Sequence, residues 1–451
     1  MTFNELDPAR AWSAFEPTAT TPWDRAAAAH LFRRIGFGAD SGQLDDAAAQ
    51  KPADVVRRLV RGENADEAAT KELDTLGDTV AASGNPEALA AWWLHRMIHT
   101  TDAALEKLTL FWHGHFATSG AKVRDSRLML AQNRMFRQHA RGRFAEMVQA
   151  VSRDPAMLLY LDSATNRKVH PNENYAREVM ELFCLGLDNY TERDIQETAR
   201  AFTGWEVRSG RFRFNSFQHD TGEKTLFGQR GNYDGDAAIA IILDQPAAAR
   251  FIAGKLFRYY IADEPAPRAE LIEPIAEMLR ENGFEIGPVV ERMAGSELFF
   301  SPHARGRKIR SPVELAIDLL KGLETTTNTK RLAEDLLQLG QGVFFPPNVK
   351  GWDGGRSWLN SSTLLGRANL ARRLVEDSKD RFADGSLAAL VEKHANSPEK
   401  AVDWLAGILL AKPLADESRK TLVEVAARGD RSDAYKNLVA AVGTLPEFQL
   451  G

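Results

Sequence analysis

Apolar residues recur at helical spacing along most of the chain, and this periodicity constrains the fold more than any other feature of the sequence. Ala, Leu, Glu and Arg dominate the periodic stretches, and all four favour helices. Strand-like alternation is scarce, and the clearest short example is Arg211–Phe214 after the Ser209–Gly210 pair. We therefore predict a mainly α protein, with residues 1–451 forming a single large multi-helix domain that has long irregular loops and at most a minor β-hairpin.

Three segments interrupt the helical pattern. Residues 62–86 are rich in Ala, Asp and Glu, and we predict a flexible insertion there. Residues 204–235 and 341–360 are rich in turn-forming residues and also contain Phe and Trp. Long irregular segments inside a compact domain usually carry function. We predict that both loops are ordered and close over a polar cleft between helices near 102–116 and 172–186.

Composition excludes several classes of protein. The 57 Lys and Arg residues against 62 Asp and Glu give a net charge of -5, so we predict no nucleic-acid partner. The single cysteine, Cys184, excludes an intrachain disulfide and a multi-cysteine metal site. The first residues lack the basic and apolar regions of a secretory signal, which predicts a cytoplasmic protein. No apolar run reaches the roughly 20 residues of a transmembrane helix, so we also predict no membrane span.

The first candidate site is the His113-Gly114-His115 sequence at the end of an apolar helix. Gly114 would allow the backbone to leave helical geometry, so that both imidazoles turn toward one point. Such an arrangement suits a metal site or acid–base chemistry. The alternative is a pair of hydrogen-bonded histidines in an aromatic environment.

The second candidate is the helix predicted over 172–186, which has one polar face. Wound at about 100° per residue, this helix places five polar side chains within an arc of about 140°: Glu173, Asn174, Arg177, Glu178 and Glu181. A solvated face is one explanation. A polar cleft is the other, because asparagines beside a glutamate offer specific donors and acceptors. Arg177 could also neutralise one of the glutamates.

The third candidate is the segment His219-Asp220-Thr221-Gly222-Glu223-Lys224 in the longest irregular region. A His–Asp pair on a loop can bind a metal, relay protons or cap a helix. Lys224 could hold an anionic substrate, or it could be an ordinary surface lysine.

Several long motifs together resemble the family known as domain of unknown function 1800. They are AAAAHLFRRIGFGA, LTLFWHGHFATS, QNRMFRQHARG, RDPAMLLYLD, PNENYAREVMELFCLGLDNYTERDIQETARAFTGW, HDTGEKTLFG and NVKGWDGGRSWLNSSTLLGR, and they extend almost from end to end. The positions that match the family motifs are His30, Arg34, Trp112, His113, His115, Gln132, Asn172, Glu173, Asn174, Arg177, Glu178, Glu181, Trp205, His219, Asp220, Lys224 and Trp352.

The resemblance implies a mainly helical bacterial protein and establishes no reaction. Many members of the family resemble exported proteins, whereas this chain lacks their leader. Many are also encoded beside a protein of another family, related to phosphatases and sulfatases, and the resemblance therefore predicts a partner protein of that kind.

Our leading hypothesis is a metal-dependent enzyme, either an oxidoreductase or a hydrolase. The predicted ligands of one divalent metal ion are His113, His115, Glu178 and Glu181. Zinc, iron, manganese and copper all suit such a ligand set. The predicted catalytic residues are His219, Asp220, Glu173 and Lys224. The competing hypothesis is a non-catalytic binding or scaffold protein that acts with a partner enzyme.

Overall fold

The structure is a computed structural model that describes residue 3, residues 5–376 and residues 381–451. Helices make up 62% of it, and the strands in these ranges form three small two-stranded sheets. The prediction of a mainly α fold is confirmed.

The α-helices are, in chain order, α1 Pro8–Ala11, α2 Arg25–Ile35, α3 Ser41–Ala48, α4 Pro52–Arg61, α5 Glu67–Ala82, α6 Pro86–His99, α7 Ala103–His115, α8 Gly120–Val123, α9 Ser126–His139, α10 Phe144–Ser152, α11 Pro155–Tyr160, α12 Asn174–Glu178, α13 Glu192–Ala201, α14 Gly235–Leu243, α15 Pro246–Tyr260, α16 Ala269–Glu281, α17 Ile286–Ala294, α18 Glu297–Phe300, α19 Pro312–Gly322, α20 Thr329–Gln338, α21 Ser361–Glu376, α22 Leu387–His394, α23 Pro398–Leu409, α24 Asp416–Ala426 and α25 Arg431–Gly443. A π-helix, Val179–Cys184, continues α12. Short 3₁₀ turns lie at Ser163–Thr165, Ser216–Gln218, Gly355–Trp358 and Pro446–Gln449.

The irregular segment 204–235 contains two antiparallel hairpins. Strand β1, Trp205–Arg208, pairs with β2, Arg211–Phe214, and β3, Lys224–Leu226, pairs with β4, Gln229–Gly231. The third sheet joins β5, Thr325–Thr326, to β6, Arg381–Phe382. The first hairpin is the one that the RFRF alternation predicts.

Polar residues immediately before the helices fix where many of them begin. The side chains of Asp24, Asp66 and Asn85 accept hydrogen bonds from backbone N–H groups in the first turns of α2, α5 and α6. Ser311 and Glu314 form a reciprocal capping box at the start of α19. This last cap also sets one wall of the cavity described below.

The segment 62–86 is the place where the sequence interpretation needs correction. Instead of a flexible spacer, it contains α5, a helix of 16 residues. Helix α5 packs against α6 and α9. The indole N–H of Trp92 donates to the carbonyl of Leu73 at 2.8 Å, and Arg96 pairs with Asp74 at 2.7 Å. The segment rich in Ala, Asp and Glu therefore forms an amphipathic helix with a narrow apolar face.

Buried apolar side chains from Phe3 to Phe448 form one contiguous cluster. Helices α7 and α19 lie deep in the protein, and most of the residues on each are buried. Helix α7 packs against α2, α4 and α9, while α15 packs against α14, α16 and α17. The carboxyl ends of α7 and α15 and the start of α19 meet the loop 341–358 around one cavity.

Among the described helices, none alone has the length and apolarity of a membrane span. Only α14 and α15 taken together meet those two criteria, and they are bent by 74° at their junction.

Candidate functional site

Helix α7 carries the His113-Gly114-His115 sequence, and the helix continues through Gly114 to His115. Residues two apart on a helix are separated by about 200°, so the two imidazoles leave opposite sides of α7. The ring of His113 packs edge-on against Trp93 and Phe344, and its Nε2 accepts a hydrogen bond from the backbone N–H of Phe344 at 3.2 Å.

His115 lies in a different environment, among the rings of Phe111, Phe116 and Phe183. Its Nε2 donates to the carbonyl of Phe183 at 2.9 Å, which leaves Nδ1 unprotonated. Burial, together with the charge of Lys255, lowers the pKa of His115 to about 3. Burial lowers the pKa of His113 to about 3 as well. Both imidazoles are therefore neutral near pH 7.

The predicted carboxylate ligands lie on the polar face that follows Asn174. Glu178 is half-buried, and burial together with the charge of Glu181 raises its pKa. The charges of Arg177 and Lys350 act on Glu178 in the opposite direction. Glu181 accepts a hydrogen bond from the Tyr190 hydroxyl at 2.9 Å. The two glutamates are thus neighbours, as predicted, but each has partners other than the histidines.

The structure does not bring the four predicted metal ligands together. In the described part of the chain, no group of three or more His, Cys, Asp or Glu residues is placed to hold a metal ion. The physical reason is that α7 stays helical at Gly114, so His113 and His115 cannot turn toward one point. Each imidazole also already uses Nε2 in a hydrogen bond to the backbone.

His219, Asp220 and Lys224 lie close together, but they form a turn whose hydrogen bonds are satisfied within the turn and by α13. The carboxylate of Asp220 accepts a hydrogen bond from Nε of Arg200 at 2.7 Å, and this hydrogen bond lowers the pKa of Asp220. The ammonium of Lys224 is buried and donates to the carbonyls of Asp220 and Gly222 at 2.6 and 3.0 Å. Nδ1 of His219 contacts the carbonyl of Thr203 at 2.9 Å. These contacts fasten the loop to the body of the protein.

Glu173 lies apart from that turn. Its carboxylate is 3.7 Å from the guanidinium of Arg177, which makes a shorter, two-point contact with Glu192. The predicted catalytic set is therefore divided between two places.

A cavity of about 160 Å³ lies where α7, α15, the start of α19 and the loop 341–358 meet. Its walls include four aromatic side chains, Phe111, Tyr259, Trp352 and Trp358, together with His115. It opens toward solvent beside Lys350 and Asp353, which are both exposed. The cavity therefore combines a lining of rings with a polar mouth, the usual character of a small-molecule site.

The loop 341–358 is held against α7 by contacts that depend on backbone geometry. Gly351 has φ of +78°, and a Cβ atom there would stand 2.1 Å from the carbonyl oxygen of Gly114. Only glycine permits this approach. Phe344 donates its N–H to His113, and Gln341 accepts from the N–H of Val313 at 2.9 Å. These contacts hold the loop against α7 and the start of α19.

Two ion pairs neutralise part of the charge around the cavity. Lys308 pairs with Asp263 at 3.0 Å, and the buried Lys107 pairs with Glu314 at 2.6 Å. Burial would raise the pKa of Glu314, but the charges of Lys107 and Lys308 outweigh it and lower that pKa to about 2. Each of these two lysines is therefore matched by a carboxylate.

Three polar atoms at the same cavity have no hydrogen-bond partner among the described residues. They are the ammonium of Lys255, the indole N–H of Trp352 and Nδ1 of His115. The Lys255 ammonium has only the ring of Phe251 nearby, 5.1 Å from the ring centroid. Burial and the like charge of Arg258 lower the pKa of Lys255. Buried polar groups normally have partners, so the two buried atoms, Trp352 Nε1 and His115 Nδ1, are exceptions, whereas the Lys255 side chain is only partly buried.

Lys255 was not identified from the sequence, although a signal was present. It lies four residues after Phe251 and four before Tyr259, so it interrupts an aromatic stripe on α15. Of the residues proposed from the sequence, His115 lines the cavity, and so does Trp352, which was named through the family motif.

Fold and site together define a mainly helical protein in which the glycine-rich loop 341–358 forms one wall of a cavity that opens to solvent. The chain belongs to the family described as "Protein of unknown function (DUF1800)", whose model matches residues 30–450. This confirms the resemblance stated from the motifs. No curated protein and no solved structure matches the chain at a significant level.

Proposed function

We propose that the protein binds a small organic anion in the cavity between α7, α15 and the loop 341–358. The observation that carries this proposal is that two donors without a hydrogen-bond partner among the described residues, the ammonium of Lys255 and the indole N–H of Trp352, belong to side chains that line a cavity walled by aromatic rings. An anionic oxygen accepts hydrogen bonds from an ammonium and from an indole N–H at once. The rings supply the apolar contact.

The charge around the cavity favours an anion over a neutral ligand. Once the pairs Lys308–Asp263 and Lys107–Glu314 are set aside, Lys255, Arg258 and Lys350 remain as cations beside a single further carboxylate, Asp353. Arg258 already donates to the carbonyl of Asp353 at 3.0 Å and is exposed, so it belongs to the mouth of the site. Lys255 is the cation placed to meet the ligand deeper in the cavity.

The size of the cavity limits the ligand to about one ring. A cavity of about 150 Å³ in another protein accommodates benzene, and the volume here is about 160 Å³. We therefore take benzoate and phenyl phosphate as probes, with benzamide as the uncharged control of the same shape.

The test is to measure the affinity of the purified protein for these probes by isothermal titration calorimetry. The proposal predicts binding of benzoate or phenyl phosphate and none of benzamide. Lys255→Met should weaken binding about 10- to 100-fold, because a hydrogen bond to a charged group is worth about 1.5–3 kcal/mol. Trp352→Phe keeps an aromatic ring and removes one hydrogen bond to the charged oxygen of the ligand, so it should also weaken binding about tenfold or more.

Lys71→Met provides the matched control, since Lys71 is an exposed lysine on α5, away from the cavity lining. Its affinity should equal that of the wild type. Equal binding of benzoate and benzamide, or benzoate binding that Lys255→Met leaves unchanged, would contradict the proposal. Failure of both anions to bind at millimolar concentration would contradict it too.

The metal-dependent enzyme stays a prediction from the sequence. A divalent ion at His113 and His115 would require at least one imidazole to leave its present backbone partner. Metal analysis of protein purified without chelator tests it: a stoichiometric zinc, iron, manganese or copper ion that His113→Ala removes would support it.

The partner protein from a phosphatase- or sulfatase-related family and the cytoplasmic location also stay predictions. Co-purification of the two proteins expressed together tests the first. Fractionation of the native cells tests the second.

A further inference from the structure

The outward side of the β1–β2 hairpin is strongly basic. The register pairs Arg208 with Arg211 and Glu206 with Arg213, and these alternate residues share one face of the hairpin. All three arginines are exposed. Glu206 is the one carboxylate on this face, and Arg213 lies 3.4 Å from it. Arg208 and Arg211 have no ion-pair partner among the described residues.

Two exposed apolar side chains lie beside this face. Arg167 reaches Glu206 at 3.4 Å, which places the turn 167–170 against β1. The N–H of Lys168 donates to the carbonyl of Gln218 at 2.9 Å, so the turn also touches the segment that carries Phe217. Val169 and Phe217 are each 84% exposed, the highest values among the exposed large apolar side chains of the described residues.

We propose that this surface, formed by Lys168, Val169, Arg208, Arg211 and Phe217 and called here the hairpin patch, docks on an anionic lipid bilayer. Val169 and Phe217 enter the interfacial region, while the three cations contact lipid phosphates. Apolar side chains flanked by Lys and Arg are the combination that holds a protein on a membrane surface without spanning it. The chain carries a net charge of -5, so a basic patch also orients it toward an anionic surface.

A membrane fits the hairpin patch better than an acidic protein partner does. A stable protein interface buries about 800 Å² on each partner around a continuous apolar core. Here the strongly exposed apolar residues are only two, and cations border them. Two protruding side chains can enter a fluid lipid interface without a complementary pocket.

The experiment is co-sedimentation of the full chain with vesicles at low ionic strength. The wild type should bind vesicles made of phosphatidylcholine mixed with phosphatidylglycerol. It should not bind vesicles made only of phosphatidylcholine. Binding should fall as salt is raised. Arg208→Gln with Arg211→Gln should reduce it about 25-fold, at about fivefold for each cation. Phe217→Ser should reduce it about tenfold or more.

Matched controls use exposed positions elsewhere. Leu365→Ser changes a 64% exposed leucine on α21, and Lys420→Gln with Arg428→Gln removes two exposed charges near the end of the chain. Both should bind like the wild type. The proposal is overturned if the wild type does not bind anionic vesicles. It is also overturned if the variants in the hairpin patch bind these vesicles as well as the wild type does. Binding to polyglutamate but not to vesicles also overturns it, because the patch would then recognise an acidic polypeptide.

Discussion

Replacing Lys255 by Met should stabilise the protein while it weakens the binding of an anion. The ammonium of Lys255 is partly buried on α15 and has no carboxylate or carbonyl partner among the described residues. A polar group that burial leaves without a hydrogen-bond partner costs about 1–3 kcal/mol, and the Lys255 ammonium, which is only partly buried, should lie at the lower end of that range. Methionine removes that cost, and its thioether can pack against Phe251, the ring that Lys255 now faces.

The magnitude follows from the size of the chain. Unfolding entropy of about 2.1 cal/mol/K per residue gives about 0.9 kcal/mol/K for a chain of this length. A gain of about 1–3 kcal/mol should therefore raise Tm by about 1–3 °C. Differential scanning calorimetry without ligand can resolve this change, with Lys71→Met as the control expected to leave Tm unaltered.

The pH dependence gives the same prediction a second test. The folded-state pKa of Lys255 is lowered below its ordinary value of 10.5. The charged form is therefore the unfavourable one in the folded protein, and its cost is fully present at neutral pH. That cost disappears as pH rises from the folded-state pKa to the unfolded value, so the advantage of Lys255→Met should shrink toward pH 10. A variant less stable than the wild type at pH 7 would refute the reasoning, because it would mean that Lys255 is paired.

Three further predictions, two of them with a matched control substitution, test separate parts of the structure. Glu106→Gln should destabilise the protein by about 3 kcal/mol, because it breaks the buried ion pairs of Glu106 with two arginines. The control Asp403→Asn, at an exposed ion pair, should cost less than about 1 kcal/mol. Urea unfolding measures both changes in the free energy of unfolding. Gly351→Ala should lower Tm and abolish benzoate binding, while Gly84→Ala, where φ is also positive but no atom lies within 4 Å, should cost only about 1 kcal/mol. Asp154 has its pKa raised to about 7 by burial, which outweighs its hydrogen bonds; its contribution to stability therefore falls as pH rises from about 4 to 7, and Asp154→Asn should remove that part of the pH profile in calorimetry.

Helical periodicity predicts most of the fold because it depends only on local sequence. The same information predicts that Glu178 and Glu181 share one face of a helix, and in the structure the charge of Glu181 acts on Glu178. That information does not predict the π-helix over Val179–Cys184, in whose last turn the Phe183 carbonyl accepts from His115.

The cavity is harder to predict, since its parts come from distant segments. Lys255 and Trp352 are almost 100 residues apart, and neither shows in sequence which partner it lacks. The orientation of His113 and His115 differs from the predicted one for another reason, while metal binding itself stays a prediction. The sequence interpretation assumed that Gly114 would end the helix, but packing of α7 in the core keeps glycine helical there.

The indole N–H resonance of Trp352 tests the binding proposal most directly. In a ¹⁵N-labelled protein the nine tryptophans give separate indole signals, and Trp352→Phe identifies the one that belongs to the cavity. We predict that benzoate shifts this resonance downfield as the N–H gains an acceptor, that benzamide does not, and that Lys255→Met requires about 10- to 100-fold more benzoate for the same shift. A Trp352 signal that stays unchanged at saturating benzoate, or that moves equally with benzamide, would contradict the account.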